Sequence, residues 1–419
     1  MANILVCADG FFRGFSPVSL EPYIQGFIDI LIENGHNVMP YIDKDITSGK
    51  PLRNNIYHFF AYCDVVNFKP DFIFAFNNVL DERFLKKYDC PIYIIASDTP
   101  LYWHNKDLIT KYPGRFNVLY FNNDFANELI ENFKIDEKHQ LLIPYTTSVV
   151  SKSTKQDKDI SFVGNFCCAA SLGLQNTIIK NLPNIVRDNV ADIYKKMFDE
   201  YKETGLISQY LYNELQNYIH NPKITIDNIA TNFCNAITNK GRIDLLSGLL
   251  DLDLHIYTFM DNLTCIDFDY NLWKKCHFQF VTTISDNQYI YNTSKISLNL
   301  PHAQVHTGFS WRTCDIMASN AMLLSNPTND LIRLFGDIVP TYVDTKDLHD
   351  KCEYFIKHEN ERRDIVKECN EIINKNHRYE NLMQLLNQFM DLPLKTKSSF
   401  GHIVNIHRTQ RKQNRYKQI

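Results

Sequence analysis

Short apolar runs alternate with helical periodicity from the first residues onward. Asn3 to Ala8 reads NILVCA, an apolar run of strand length, and Leu20 to Asn34 spaces its apolar residues as a helix with one buried face does. Gly35 closes that helix, because glycine takes the left-handed conformation that ends helices at little cost. Val38 to Tyr41 then follows as a second strand, with further strands expected at Asp71–Ala75, Ile92–Ala96, Val118–Phe121 and Leu141–Ile143. Apolar strands separated by helices predict a parallel sheet covered on both faces.

The alternation breaks at Ser151–Asp159, whose sequence SKSTKQDKD offers nothing to a core and reads as a linker. It restarts at Ile160–Gly164. Residues 170–250 carry only helical pattern, which predicts a helical insertion. Strands resume at Leu254–Tyr257, Ile296–Leu300, Met322–Ser325 and Val339–Val343, with helices at Lys346–His358, at Glu359–Asn376 and after Tyr379. The expected organisation is α/β, with two Rossmann-like, doubly wound parallel-sheet domains facing a cleft. The first spans 1–150 and the second 160–390, and a tail follows at 391–419. In such sheets ligands bind beyond the carboxyl ends of the strands, so the cleft is the expected site.

Composition narrows the classes. A net charge of −4 gives no case for nucleic acid as a partner. The charge is uneven, however: residues 395–419 hold seven Lys or Arg and no acid. That tail is either a solvated terminus or a contact with an anionic membrane surface. Eleven cysteines without CxxC pairs or zinc spacing read as reduced thiols rather than disulfides or metal ligands. The N-terminus lacks a signal-peptide pattern, and no apolar run reaches the roughly 18–20 residues of a membrane helix. A cytoplasmic location is expected. The loop Gly10–Gly14 is not a GxGxxG fingerprint and no GKS/T loop occurs, which argues against NAD and against an NTPase.

The most informative stretch follows Ile296–Leu300. The loop Pro301 to Ser310 contains His302, His306, Thr307, Gly308 and Phe309, and Ser310 stands where its hydroxyl would cap the next helix. The start of that helix suits a diphosphate, Arg312 can add a charged hydrogen bond, and Asp315, on the same face, can accept the hydroxyls of a ribose. A helix-surface carboxylate is the plainer reading of Asp315. His302 and His306 are either ligand contacts or solvated loop histidines. Gly164 is a candidate contact to the diphosphate, and Tyr257, with Thr258, to the base. Asp9 and Asp98, at strand ends, are candidate bases for deprotonating a hydroxyl, as is His306; Asp9 before Gly10 is also an ordinary turn.

Residues 290–385 resemble the C-terminal module of the spore-maturation glycosyltransferase-like proteins. The residues that carry the likeness are Ser297-Leu-Asn299, Gly308-Phe-Ser310-Trp-Arg312, Asp315-Ile-Met317-Ala318, Leu323-Leu324, Leu331 to Phe335, Glu361-Arg362-Arg363 and His377 to Asn381. The resemblance implies a GT-B fold, with a nucleotide-diphosphate sugar on the second domain and a glycan or glycolipid acceptor on the first. It implies no resident cofactor and no metal, and a surface polysaccharide as product. Three positions depart from the pattern. Asp315 replaces a Glu, Asn320 replaces a Gly, and Leu323 stands where many retaining members carry a second acid. The changes at Asp315 and Leu323 leave a non-catalytic sugar-nucleotide or glycan binder as an alternative, and the two-domain architecture leaves a nucleotide-sugar epimerase as another.

Overall fold

The computed structural model describes residues 1–8, 12–13, 18–42, 67–80, 82–98, 103, 105–122, 124–166, 179–180, 182–204, 207–218, 226–258, 270–277, 279, 281–304, 307–390, 394 and 402–403. They fall into two compact units. The first comprises Met1–Ser148, Thr282–Ile284 and Asn376–Ile419, and the second Val149–Val281 and Ser285–Lys375.

The first unit opens with β1 (Asn3–Ala8), a short β2–β3 hairpin (Phe12–Arg13, Val18–Ser19), α1 (Pro22–Glu33) and β4 (Asn37–Ile42). It continues with β5 (Phe72–Phe76), α2 (Glu82–Lys87), β6 (Ile92–Ala96), α3 (Lys106–Lys111), β7 (Phe116–Tyr120), α4 (Asp124–Phe133) and β8 (Gln140–Leu142). Helix α1 ends as its sequence predicts. Gly35 has φ 82°, and the N–H groups of Gly35 and His36 reach back to the carbonyls of Ile32 and Leu31.

The second unit contains β9 (Lys158–Val163), α5 (Asn184–Thr204), α6 (Gln209–Gln216), α7 (Ile226–Ser247), β10 (Leu254–Tyr257), α8 (Tyr270–Trp273) and β11 (Cys276–His277). Then come α9 (Ile284–Thr293), β12 (Ser294–Asn299), α10 (Trp311–Met317), β13 (Met322–Ser325), α11 (Asn329–Phe335), α12 (Thr345–Lys357) and α13 (Glu359–Asn376). The chain finishes in the first unit with α14 (Tyr379–Phe389) and β14 (His402–Ile403).

The first sheet has the order β14-β4-β1-β5-β6-β7-β8 and the second β11-β10-β9-β12-β13. Every pairing in both is parallel. Strand order reverses between β1 and β5 in the first sheet and between β9 and β12 in the second, the two places where doubly wound sheets take ligands. Alternation along the strands sorts the second sheet. Ile160, Phe162, Leu254, Ile256, Ile296, Leu298, Met322 and Leu324 pack with α7 and α12 residues in one core. On the other face Ser161 and Ser297 share a 2.6 Å hydroxyl contact.

Four expectations are corrected. The polar segment Ser151–Asp159 is not a free linker. Lys152 N–H donates to Asn292 Oδ1 at 2.9 Å, and Gln156 Nε2 donates to the carbonyls of Ser294 and Asn320 at 2.7 and 2.9 Å, so carboxamides satisfy its backbone and its edges. Asn320 is part of that stitching and is not left-handed. Val339–Val343 makes one bridge, Ser325 to Thr341, because Pro340 has no N–H to extend a ladder. The second unit stops at Lys375 rather than 390, since α14 packs on α1, with the Tyr379 hydroxyl donating to the Tyr23 carbonyl at 3.0 Å. Within the basic segment, His402 and Ile403 form β14, paired with β4 through His402–Asn37 and Ile403–Val38.

Candidate functional site

At the β9/β12 reversal two chain segments leave the strands, Gly164–Phe166 after β9 and Leu300–Gln304 after β12. The one after β12 is pinned by a single face of α7. Asn235, Thr238 and Arg242 lie at i, i+3 and i+7, a spacing that aligns side chains along a helix. Thr238 Oγ1 accepts the Ala303 N–H at 2.8 Å, and Asn235 Oδ1 meets His302 Nε2 at 2.9 Å. Arg242, 4 % exposed, donates from Nε and Nη2 to the Leu300 carbonyl at 3.0 and 2.6 Å and from Nη1 to the Asn165 carbonyl in the other loop. From α5, the Tyr201 hydroxyl donates to the Pro301 carbonyl at 3.1 Å.

His302 is therefore a loop anchor. Its Nδ1 accepts the Gln304 N–H at 3.2 Å, which leaves Nε2 protonated to donate to Asn235. Burial, reinforced by the nearby Arg242 charge, pushes its pKa down to about 3, so it is neutral at physiological pH. Both ring nitrogens are engaged within the protein, and the expected ligand contact is revised to a structural one.

Farther along the same loop, Thr307 accepts the Asp330 N–H at 2.9 Å through its carbonyl, and Gly308 is buried. Phe309 is 3 % exposed and lies against Phe335 with ring centroids 5.7 Å apart, which makes it core rather than a ligand contact. Ser310 occupies the N-cap with extended backbone, but its hydroxyl makes no capping bond. It donates instead to Asn299 Oδ1 at 2.8 Å, and Asn299 Nδ2 donates to Ser325 Oγ at 2.9 Å. The strand end claims the hydroxyl, so the Ser310 side chain does not cap α10. Arg312 and Asp315 are partly buried on that helix, and both lie close enough to Tyr291 to act on its hydroxyl. Burial raises the Tyr291 pKa, with Arg312 opposing and Asp315 adding to the rise.

Gly164 closes β9 and donates its N–H to the Tyr257 carbonyl at 3.0 Å. Packing explains the glycine: a Cβ there would stand 2.5 Å from the Phe162 ring. Tyr257 is 4 % exposed, and its ring lies 4.4 Å from that of His277 at 7°. Burial pushes its hydroxyl up to about 12, so it stays protonated. His277 meets His255 Nδ1 at 2.8 Å, and His255 meets Asp253 at 3.1 Å. Burial first, then His255 and Lys158, lower the pKa of His277.

In the first unit Asp98 follows β6. Its Oδ2 accepts from Asn77 Nδ2 at 2.6 Å and its N–H donates to Asn77 Oδ1 at 3.0 Å, while its carbonyl accepts from Trp103 Nε1 at 3.0 Å. Asn77 and Asn78, just beyond β5, are both left-handed, with φ of 46° and 52°. Asp9 and His306 lie outside the described residues. Sequence reasoning missed Arg242, Thr238, Asn235, Tyr201, Tyr291 and Asn77. Only the polar i, i+3, i+7 face of α7 carried a signal.

Residues 253–388 match the glycosyl transferase-like family. The T4 phage β-glucosyltransferase structure aligns over 94 % of this chain and 100 % of its own, with 13 % identity and a TM-score of 0.52. Its complex with UDP-glucose aligns over the same shares, with 14 % identity and a TM-score of 0.51. No curated protein sequence matches the chain. The architecture is GT-B, two Rossmann-like parallel-sheet domains, and the family match falls in the second half of the chain. Among the described residues no helix is long and apolar enough to cross a membrane.

Proposed function

We propose that the chain is a glycosyltransferase that moves a sugar from a nucleoside-diphosphate sugar, seated at the β9/β12 reversal, to a hydroxyl of a glycan or glycolipid. One observation carries the reading. The buried Arg242 ties together the chain segments that follow β9 and β12 at that reversal, and the segment after β12 leads into α10, which carries Arg312 in its first turn. Backbone N–H groups and a guanidinium there can take the charge that develops on the departing diphosphate. Asp315, one turn on, accepts the ribose hydroxyls. Asp98 is the favoured base, with Asp9 as its rival. It takes the acceptor proton as the acceptor oxygen bonds to the sugar carbon and the bond to the diphosphate breaks. No resident cofactor or metal enters this scheme.

Closer affinity to the spore-maturation glycosyltransferase-like proteins, a surface glycan as acceptor, and contact of the basic 395–419 segment with anionic lipid are further parts of the proposal. They rest on the motif order in 290–385 and on the seven unbalanced cations. The test is calorimetric titration with UDP-, GDP-, CMP- and dTDP-sugars, followed by mass analysis of products with glycan acceptors. UDP-glucose comes first, since the T4 phage structure holds it. Saturable binding of one donor and release of its nucleoside diphosphate support the reading; no binding of any donor sinks it. Binding without turnover would favour the non-catalytic alternative.

A further inference from the structure

We propose that Arg242 is the positioning residue of this site: from the helical insertion it sets the backbone of both loops that would face the donor's diphosphate. The inference rests on the donor-site reading above. Its basis is a convergence of contacts on one buried side chain. The guanidinium bridges the carbonyl of Leu300, just beyond β12, and that of Asn165, just beyond β9. These are the two strands that flank the reversal in sheet order. The same group lies over the Phe162 ring, 5.8 Å from its centroid, and that ring fills the space a Cβ at Gly164 would need. One side chain therefore touches the end of β12, the loop after β9 and the ring that fixes Gly164.

The consequence follows from peptide geometry. In a trans peptide the carbonyl and the next N–H point in opposite directions. Drawing the Asn165 carbonyl toward Arg242 turns the Phe166 N–H to the other side of the chain. The next residues of the β12 loop are held from the same helix face by Thr238 at Ala303 and by Asn235 through His302. The charge itself matters as well. A buried cation is poorly screened by salt, so it favours a diphosphate over the uncharged nucleoside even without touching it. Its presence is felt at His302, which it helps to keep neutral.

The test compares UDP with uridine, or the matching pair for whichever base the wild-type protein binds, by titration calorimetry and thermal melting. Arg242→Gln should weaken diphosphate binding about tenfold or more, the scale of lost charged hydrogen bonds, while nucleoside affinity changes much less. Arg242→Lys should recover part of the loss. Because Arg242→Gln can fail to fold, Thr238→Val and Asn235→Ala, which leave the cation in place, are measured in parallel. Each should weaken UDP by a few fold, roughly the value of one neutral hydrogen bond, and leave uridine unchanged. Equal losses for UDP and uridine, or unchanged UDP affinity in Thr238→Val and Asn235→Ala, overturn the proposal alone. Wild-type protein that binds no nucleoside diphosphate overturns the donor-site reading and this inference with it.

Discussion

The two sheets reverse strand order in the same way, yet the neighbourhoods of their reversals are built with opposite polarity. In the first unit, carboxamides hold an acid: Asn77, at the end of β5, grips both the carboxylate and the N–H of Asp98, at the end of β6. In the second, a cation and a hydroxyl hold backbone: Arg242 and Thr238 bind carbonyl and N–H groups of the loops themselves. The first arrangement orients a carboxylate that can take a proton. The second orients peptide groups of the two loops. Under the proposed function, the first unit would offer a proton acceptor and the second a phosphate-binding backbone, each a site built on the same fold.

The largest expected effect tests the acid half of that contrast. Asp98→Asn should lower turnover by about 10²–10⁴-fold, the usual worth of a general base, with donor affinity within twofold of wild type. The asparagine can still offer an oxygen to Asn77 Nδ2, so the local bonds survive. Loss of donor affinity rather than turnover would erase the contrast between the units. An active variant would pass the role to Asp9. Next in size is Arg312→Ala, which removes a charged contact worth about 1.5–3 kcal/mol. Nucleoside diphosphate binding should weaken accordingly while nucleoside binding holds; calorimetry that shows equal losses would move Arg312 out of the phosphate site.

Much of the fold was legible because its signals are local. Apolar runs marked most of the strands from β1 to β13, and Gly35 marked a helix end that the structure closes in that way. What sequence could not show was where polar side chains spend their hydrogen bonds. Ser310 sits at the expected cap, but Asn299, eleven residues earlier, takes its hydroxyl. His302 is in the expected loop, yet an asparagine 67 residues away claims its ring. Ser151–Asp159 is polar because its partners are Asn292, Ser294 and Asn320, not because it is loose. Each of these contacts is non-local, and no spacing rule reaches it.

Asp315 comes third. Asp315→Asn keeps the size and removes the charged acceptor, so affinity for ribonucleotides should fall by roughly three- to tenfold, the scale of about one hydrogen bond. Asp315→Glu should retain more of it. Competition with the matching 2′-deoxy nucleotide provides the check: if wild type and Asp315→Asn discriminate ribose from deoxyribose equally, Asp315 does not read the ribose.

The smallest effect concerns pH and separates the crevice from the rest of the second unit. Away from the reversal, His349 Nε2 lies 3.0 Å from Asp251 Oδ2. The hydrogen bond to Asp251 raises the pKa of His349 above its usual 6.5, and the same bond lowers that of Asp251 below 3.8. A raised histidine stabilises the fold below its unfolded pKa and loses that contribution as pH rises through the folded value. A depressed carboxylate loses its contribution as pH falls through its own folded value. The pair therefore acts between those limits, and as a largely exposed bridge it is worth about 0.2–1 kcal/mol. A double-mutant cycle of His349→Gln and Asp251→Asn should find that coupling near pH 5.5 at low salt and none near pH 9. His302, held down at about 3, titrates nowhere in that range. Affinity for an intact sugar nucleotide, whose phosphates lack a secondary ionisation near neutrality, should not follow His302 between pH 5.5 and 8. An affinity step near pH 6.5 that vanishes in His306→Gln would restore His306 to the donor site. A step that survives that substitution but vanishes in His302→Gln would mean the β12 loop opens to solvent, and the rigid cradle that distinguishes the second unit would have to be abandoned.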